Sequence, residues 1–229
     1  MVDTVCGIEF VLVKGGTYAM GDTLDQGIGN EKPIHQVTLY DFHISRFPVT
    51  QAQWSSLMKE NPSAFQHPDH PVEQVNWSDA CEFARQLSLK NQKDIEFRLP
   101  TEAQWEYAAR SGGLDDLYAG GDDIGAVAWY EANSGNTTQP VGKKQPNRLG
   151  LYDMSGNVWE WCRDTYEADA YTRHNRHHPV AESTGRDRVI RGGSWNLDAW
   201  SARCTRRFNF SADLFGPGLG FRLVVLHPS

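Results

Sequence analysis

Chemistry in this chain would have to come from four cysteines, eight histidines and a few spaced carboxylates. Cys6, Cys81, Cys162 and Cys204 are widely scattered. No two stand at the C-x-x-C spacing of a zinc or thioredoxin-type site, so buried thiols of a reduced protein are the better reading. The tract RHNRHHP at 173–179 holds three histidines. No carboxylate or fourth ligand accompanies them at fixed spacing, and a solvated, mobile loop is expected. His35, His43 and His67 stand beside no defensible nucleophile, and neither a Ser-His-Asp arrangement, a G-x-S-x-G elbow nor a P-loop is present. Asp153 and Glu160 lie seven apart around Gly156 in LYDMSGNVWEW.

What remains is binding rather than catalysis. The stretch DRVIRGGSWNLDAWSARCTRRFNFSADLFGPGLGFRLVV opens on an apolar run with Gly192-Gly193 and closes on GFRLVV. Both ends read as strands. Between them neither a 3.6 period nor an alternation is visible, and Trp200, Phe208, Phe210 and Phe215 stand among Arg, Asn, Ser and Gly. Aromatics on a loop held by a rigid frame are the usual composition of a binding surface. From spacing alone, a core loop with its rings turned inward fits equally well.

The elements that would position these residues are short. Residues 8–20 read as a hairpin turning at Lys14-Gly15-Gly16. Residues 36–44 alternate as a strand, with a shift of face near Asp41. Thr50 is expected to cap a helix that carries Trp54, Leu57 and Met58 on one side and stops at Asn61-Pro62. A second helix spans about 76 or 78 to 90, burying Ala80, Phe83, Ala84 and Leu87. A third opens at Thr101 with the capping box T-E-A-Q, carries Trp105, Ala108 and Ala109 inward, and ends at Gly112-Gly113. Beyond it the chain is mostly turns, without repeats or linker, so one domain over 1–229 is favoured.

With 229 residues the chain can bury a sizeable core. Its net charge of −7 and pI near 5.6 argue against general affinity for nucleic acid or anionic membrane. No apolar run approaches the roughly 18 residues of a membrane span. Residues 1–20 lack a basic n-region and cleavage site, so the location is cytoplasmic by default, or the cell surface if a leader has been removed. Eight tryptophans, 21 glycines and 11 prolines suggest a loop-rich fold whose interior is filled by indole rings.

Several strings occur in order: GGTYAMGD, EKPIHQVTLYDFHISRFPVTQAQW, HPVEQVNWSDACEFA, FRLPTEAQWEYAAR, NRLGLYDMSGNVWEW, RGGSW and GFRLV. Together they resemble the formylglycine-generating, sulfatase-modifying-factor family over nearly the whole chain. The resemblance implies one irregular α+β domain of the C-type-lectin type, with two to three helices around small antiparallel sheets and much coil. The founding enzymes of that family oxidise a substrate cysteine with copper held by two cysteines shortly after the glycine-glycine-serine motif. Here that stretch offers only Cys204, later than either position. One thiolate cannot make a two-thiolate site, so no copper is expected. An oxidase or related maturation enzyme acting on a peptide cysteine is the alternative reading.

Within the family the chain resembles variable proteins diversified by a retroelement that mutates template adenines. In that branch the residues between RGGSW and GFRL vary to form the ligand-binding face. Adenine replacement in AAC or AAT codons cannot yield Lys, Glu, Gln, Met or Trp. The thirty residues of 194–223 contain no Lys, Glu, Gln or Met, although those four make up 34 of the 229, a share that would place about 4.5 there. Trp200 breaks the simple rule, and Trp195 belongs to the fixed frame. By position the ligand-facing set is Leu197, Asp198, Trp200, Ser201, Thr205, Arg206, Phe208, Phe210, Ser211, Leu214, Phe215 and Pro217, facing a protein or other macromolecular ligand. Arg203, Arg207, Asn209 and Asp213 are expected to hold the loop through its backbone. The family also implies at most one structural Ca2+, bound by the Asp153 and Glu160 side chains and the Gly156 and Val158 carbonyls. An unmetallated loop with Glu160 in a salt bridge stands beside that reading. The sugar motif of true lectins is absent, since Trp195-Asn196 is followed by Leu197.

Overall fold

The computed structural model describes residues 1–91 and 95–226. In chain order the elements are β1 (Phe10–Val13), β2 (Gly16–Met20), β3 (His35–Leu39), β4 (Phe42–Ser45), α1 (Gln51–Ser55), α2 (Trp77–Lys90), β5 (Glu96–Arg98), α3 (Glu102–Ala109), α4 (Ile124–Val127), β6 (Trp159–Thr165), β7 (Asp187–Arg191), β8 (Arg207–Ser211), β9 (Leu219–Gly220) and β10 (Val224–Leu226). This is the expected small mixed α+β architecture. One sheet has the order β1-β4-β10-β5, a second pairs β2 with β3, and a third runs β8-β7-β6-β9. Pairing is antiparallel throughout except between β6 and β9.

Local signals act as read at the helix starts. Thr50, Asn76 and Thr101 each accept from the backbone N–H three residues on, and Gln53, Asp79 and Gln104 return the bond to the cap. α2 buries Ala80, Phe83, Ala84 and Leu87. α1 is shorter than expected: it ends at Ser55, and Leu57 and Met58 follow in a turn, packed against the core from its margin. Of the buried tryptophans, Trp54, Trp105 and Trp161 each have the indole N–H bonded, to the Glu60 carbonyl, the Glu160 carboxylate and the Val75 carbonyl respectively.

Four expectations need correction. The segment 8–20 is no hairpin, because β1 pairs with β4 and β2 pairs with β3. Gly15 crosses directly over the 39–41 backbone, where a Cβ would collide with the Leu39 carbonyl oxygen, and its N–H donates to Asp41 Oδ1. Close approach, not a reversing turn, is why glycine stands there. Residues 35–45 divide at Tyr40-Asp41 into two strands of different sheets, which accounts for the shift of face. The tract 173–179 is tied to the edge of β3: Thr38 N–H donates to the Arg176 carbonyl, and His178 N–H to that of Thr38. Finally, the stretch between the two terminal strands contains two more strands: β8, which pairs with β7 from Asp187↔Ser211 to Arg191↔Arg207, and the short β9, which lies beside β6.

No helix among the described residues is long and apolar enough to cross a membrane.

Candidate ligand-binding face

β7 delivers the chain to Gly192 and Gly193, which turn it with φ of 99° and 75°. A Cβ on Gly193 would meet Ala202 Cα and the Ser201 carbonyl oxygen at 2.9 Å, so the returning loop lies directly on this turn. Below it, α3 supplies the acids and the loop supplies the bases. Arg191 bonds Glu102 at 3.0 Å and Glu106 at 2.6 Å, and also donates to the Cys204 and Thr205 carbonyls. Arg207 takes both oxygens of Glu102, at 2.6 and 2.8 Å, and reaches the Asn30 carbonyl. Burial works to raise the pKa of Glu102, but the two guanidinium groups outweigh it and hold the carboxyl below its ordinary value. Arg222 closes the far end on Glu160, the Ser45 carbonyl and the Tyr152 carbonyl. All of these side chains are buried, so the excursion stands on satisfied charge rather than on apolar filling.

On this base the twelve candidate residues separate. Asp198, Trp200, Phe208, Leu214, Phe215 and Pro217 are exposed, and Leu197, Ser201, Phe210 and Ser211 are half-buried. Asp198 caps a short 3-10 turn over Ala199–Ala202 and accepts from both the N–H and the hydroxyl of Ser201. The Arg206 guanidinium lies 4.3 Å from the Trp200 ring centre and 5.4 Å from that of Phe208. Phe208 in turn stacks on Trp159 with centroids 5.9 Å apart. Leu197 and Phe210 pack against the core, so the inward reading of Phe210 holds in part. Thr205 points inward and donates its hydroxyl to Glu31. The structure therefore brings Trp200, Arg206 and Phe208 together and spends Thr205 on the frame.

Of the four residues expected to hold the loop, Arg203 donates to the Trp200 carbonyl and pairs with Glu31. Arg207 acts on α3 and on Asn30, and Asn209 donates to Asp187. Asp213 is exposed. Trp159 and Phe65 were not anticipated. Trp159 lies beneath Phe208, while Phe65 meets Trp195 edge-on at 5.3 Å, and the Trp195 indole donates to the Pro217 carbonyl. The alternation Phe208-x-Phe210 on β8, matched by Trp159-x-Trp161 on β6 with β7 between them, is the one signal that could have placed these rings on a shared face.

The quartet Asp153, Gly156, Val158 and Glu160 lies at the start of β6. Glu160 accepts from Trp105 Nε1 at 2.6 Å and from Arg222 Nε and Nη2 at 2.6 and 2.7 Å. Asp153 accepts from the Gly142 N–H, and burial raises its pKa to about 6. Three of the roughly four acceptor positions of this carboxylate are thus taken by a guanidinium and an indole. The arrangement is that of the alternative reading, with Glu160 in a salt bridge to Arg222. Among the described residues no group of three or more His, Cys, Asp or Glu side chains could hold a metal.

The Cys204 thiol is closed off from solvent. It is fully buried, and burial pushes its pKa to about 12. A nucleophilic or metal-binding cysteine needs the opposite, an accessible thiol of depressed pKa.

Comparison with known proteins agrees with this architecture. The family model described as sulfatase-modifying factor enzyme 1-like domain matches residues 6–226. The chain is 32% identical to the chaperone protein LppX of Paenibacillus barcinonensis, over 97% of this chain and 91% of that protein. It is 30% identical to the formylglycine-generating enzyme of Streptomyces coelicolor, over 93% of this chain and 87% of the enzyme. Among solved structures it superposes on Treponema denticola variable protein 1 with a TM-score of 0.88 and 32% identity, covering 98% of each chain. The chain belongs to the sulfatase-modifying factor enzyme 1-like domain family.

Proposed function

We propose that this protein is a non-enzymatic binding protein that presents the 194–223 surface to a protein or other macromolecular ligand, as a retroelement-diversified variable protein would. The observation that carries this reading is the contrast within one segment. Trp200, Phe208, Leu214 and Phe215 are 38%, 43%, 51% and 60% exposed, while Arg191, Arg203, Arg207 and Arg222 beneath and around them are at most 2% exposed. Large apolar side chains in water are unfavourable singly and informative when grouped on a rigid base. Aromatic rings and arginine are also the side chains that dominate binding surfaces. The likeness to Treponema denticola variable protein 1 supports the same reading.

The test is made on the gene. A near-copy of the codons for 194–223 should lie nearby, beside a reverse transcriptase gene, and differ from them at its adenines. A neighbourhood without such a copy overturns the diversified-binder reading.

A second reading, an enzyme acting on a peptide cysteine, draws on the identity with the Streptomyces coelicolor enzyme. The buried, high-pKa thiol of Cys204 counts against it.

A further inference from the structure

We infer that Arg206 is the specificity-determining residue of this face and receives a carboxylate side chain of a protein partner, flanked in that partner by apolar or aromatic residues. This rests on the binding reading above. Every other arginine at the base of the loop is matched. Arg191, Arg203, Arg207 and Arg222 each make an ion pair with a buried glutamate and a bond to a backbone carbonyl. Arg206 has neither. It is 9% exposed, and its Nε and Nη1 are covered yet donate no hydrogen bond. Glu31, the nearest acid acting on it, has both oxygens engaged by Arg203, with Thr205 on one of them.

A guanidinium remains charged in a protein. One that is covered and unpaired is the costly half of an ion pair, and it retains the fork of donors that a carboxylate accepts. The rings of Trp200 and Phe208 contribute attraction through their faces, but they do not satisfy N–H donors. Entry is taken to be past the Trp200 indole, whose ring centre lies 4.3 Å from the guanidinium. That ring is 38% exposed, and its N–H reaches the Gln26 carbonyl at 3.3 Å. Once moved, it would lie against the partner's apolar neighbours.

A single cation among exposed apolar side chains, on a chain of net charge −7, suits an isolated acidic residue of a protein rather than a polyanion. The same net charge repels acidic molecules in general. A preference for a carboxylate would therefore report a local site.

The experiment is an NMR titration of the full chain that follows the Arg206 Nε–H resonance, assigned by its loss in Arg206→Gln. The probes are N-acetyl-Leu-Asp-Phe-amide, the same peptide with asparagine for aspartate, and acetate. The expected result is a saturable shift of this resonance with the acidic peptide and binding at least about tenfold weaker with the asparagine peptide and with acetate. Arg206→Lys, which keeps the charge and loses the fork, should fall between wild type and Arg206→Gln in backbone shifts around 200–208. No shift up to about 10 mM, or equal response to both peptides, overturns the proposal. A response to acetate equal to that of the acidic peptide also overturns it, in favour of a small-anion site. None of these failures bears on the template copy in the gene, so the binder reading stands or falls separately.

Discussion

Arg203 grips Glu31 with both terminal nitrogens, Nη2 to Oε1 at 2.8 Å and Nη1 to Oε2 at 3.0 Å, with both side chains sealed from solvent. The pair joins the middle of the 194–223 excursion to a short 3-10 turn at Gly29–Glu31 near the start of the chain. Burial alone would raise the Glu31 pKa, but the bonds from Arg203 and Thr205 outweigh it and hold it below the ordinary value. The carboxylate therefore contributes stability above its unfolded pKa, and that contribution is lost as pH falls through the lower folded value.

Glu31→Gln should lower unfolding free energy in urea by about 3–5 kcal/mol, because a buried guanidinium loses its counter-charge. The double variant Glu31→Gln with Arg203→Met should recover part of that loss, since the stranded charge goes too. A single-variant loss below about 1 kcal/mol would show that the pair does not anchor the loop.

Arg207 and Phe208 are neighbours in sequence with opposite duties. Arg207 is fully buried on Glu102, whereas Phe208 is 43% exposed over Trp159. Arg207→Ala is expected to cost about 3–5 kcal/mol of stability. Phe208→Ala and Trp200→Ala are expected to cost no more than about 1 kcal/mol each while reducing ligand or probe binding. Denaturant midpoints for the three variants decide this. Comparable losses at 207 and 208 would make the ring a core residue.

How much could be read in advance follows the range of each interaction. Thr50, Asn76 and Thr101 announced their helices because a cap and its partner lie three residues apart. Glu102 and Glu106, four apart on α3, are both buried, and what draws them in is Arg191 and Arg207, 85 to 105 residues on. Gly15 looked like a hairpin turn because nothing local shows that residues 39–41 pass over it. The outward position of Trp200, Phe208, Leu214 and Phe215 agrees with their place in the expected ligand-facing set. The inward turn of Thr205 and the unpaired state of Arg206 were not legible, since both depend on how Glu31 is shared. For Glu160 the sequence offered a metal or a salt bridge, and could not name Arg222, sixty-two residues away, as the ion-pair partner.

Glu73 should make stability fall with pH in the weakly acidic range. It is fully buried, accepts the Phe65 N–H on one oxygen and leaves the other without a partner, and burial raises its pKa to about 7. The folded state thus keeps a proton that the unfolded chain releases near the ordinary carboxyl value. Stability is full below that value and declines as pH rises towards 7, by at most about 3 kcal/mol. Glu73→Gln keeps an acceptor for Phe65 and cannot ionise, so its urea-unfolding free energy should be flatter than wild type between pH 4.5 and 7. Parallel profiles for the two proteins would refute the buried, protonated state.

Thiol reactivity separates the binder from an enzyme that would use Cys204. Cys6 and Cys81 are half-buried, while Cys162 and Cys204 are buried. With a pKa near 12, the Cys204 thiol is almost wholly protonated at pH 8, and its sulfur is also shielded from reagent. Native protein treated with a disulfide reagent at pH 8 should leave Cys204 unmodified, as read by peptide mass mapping. In denaturant all four thiols should react. Rapid, selective labelling of Cys204 in the native state would mean an accessible thiolate. It would move the balance towards chemistry on a peptide cysteine, because a thiol that reacts from the folded state must have both a path from solvent and a cation near enough to offset the burial that now raises its pKa.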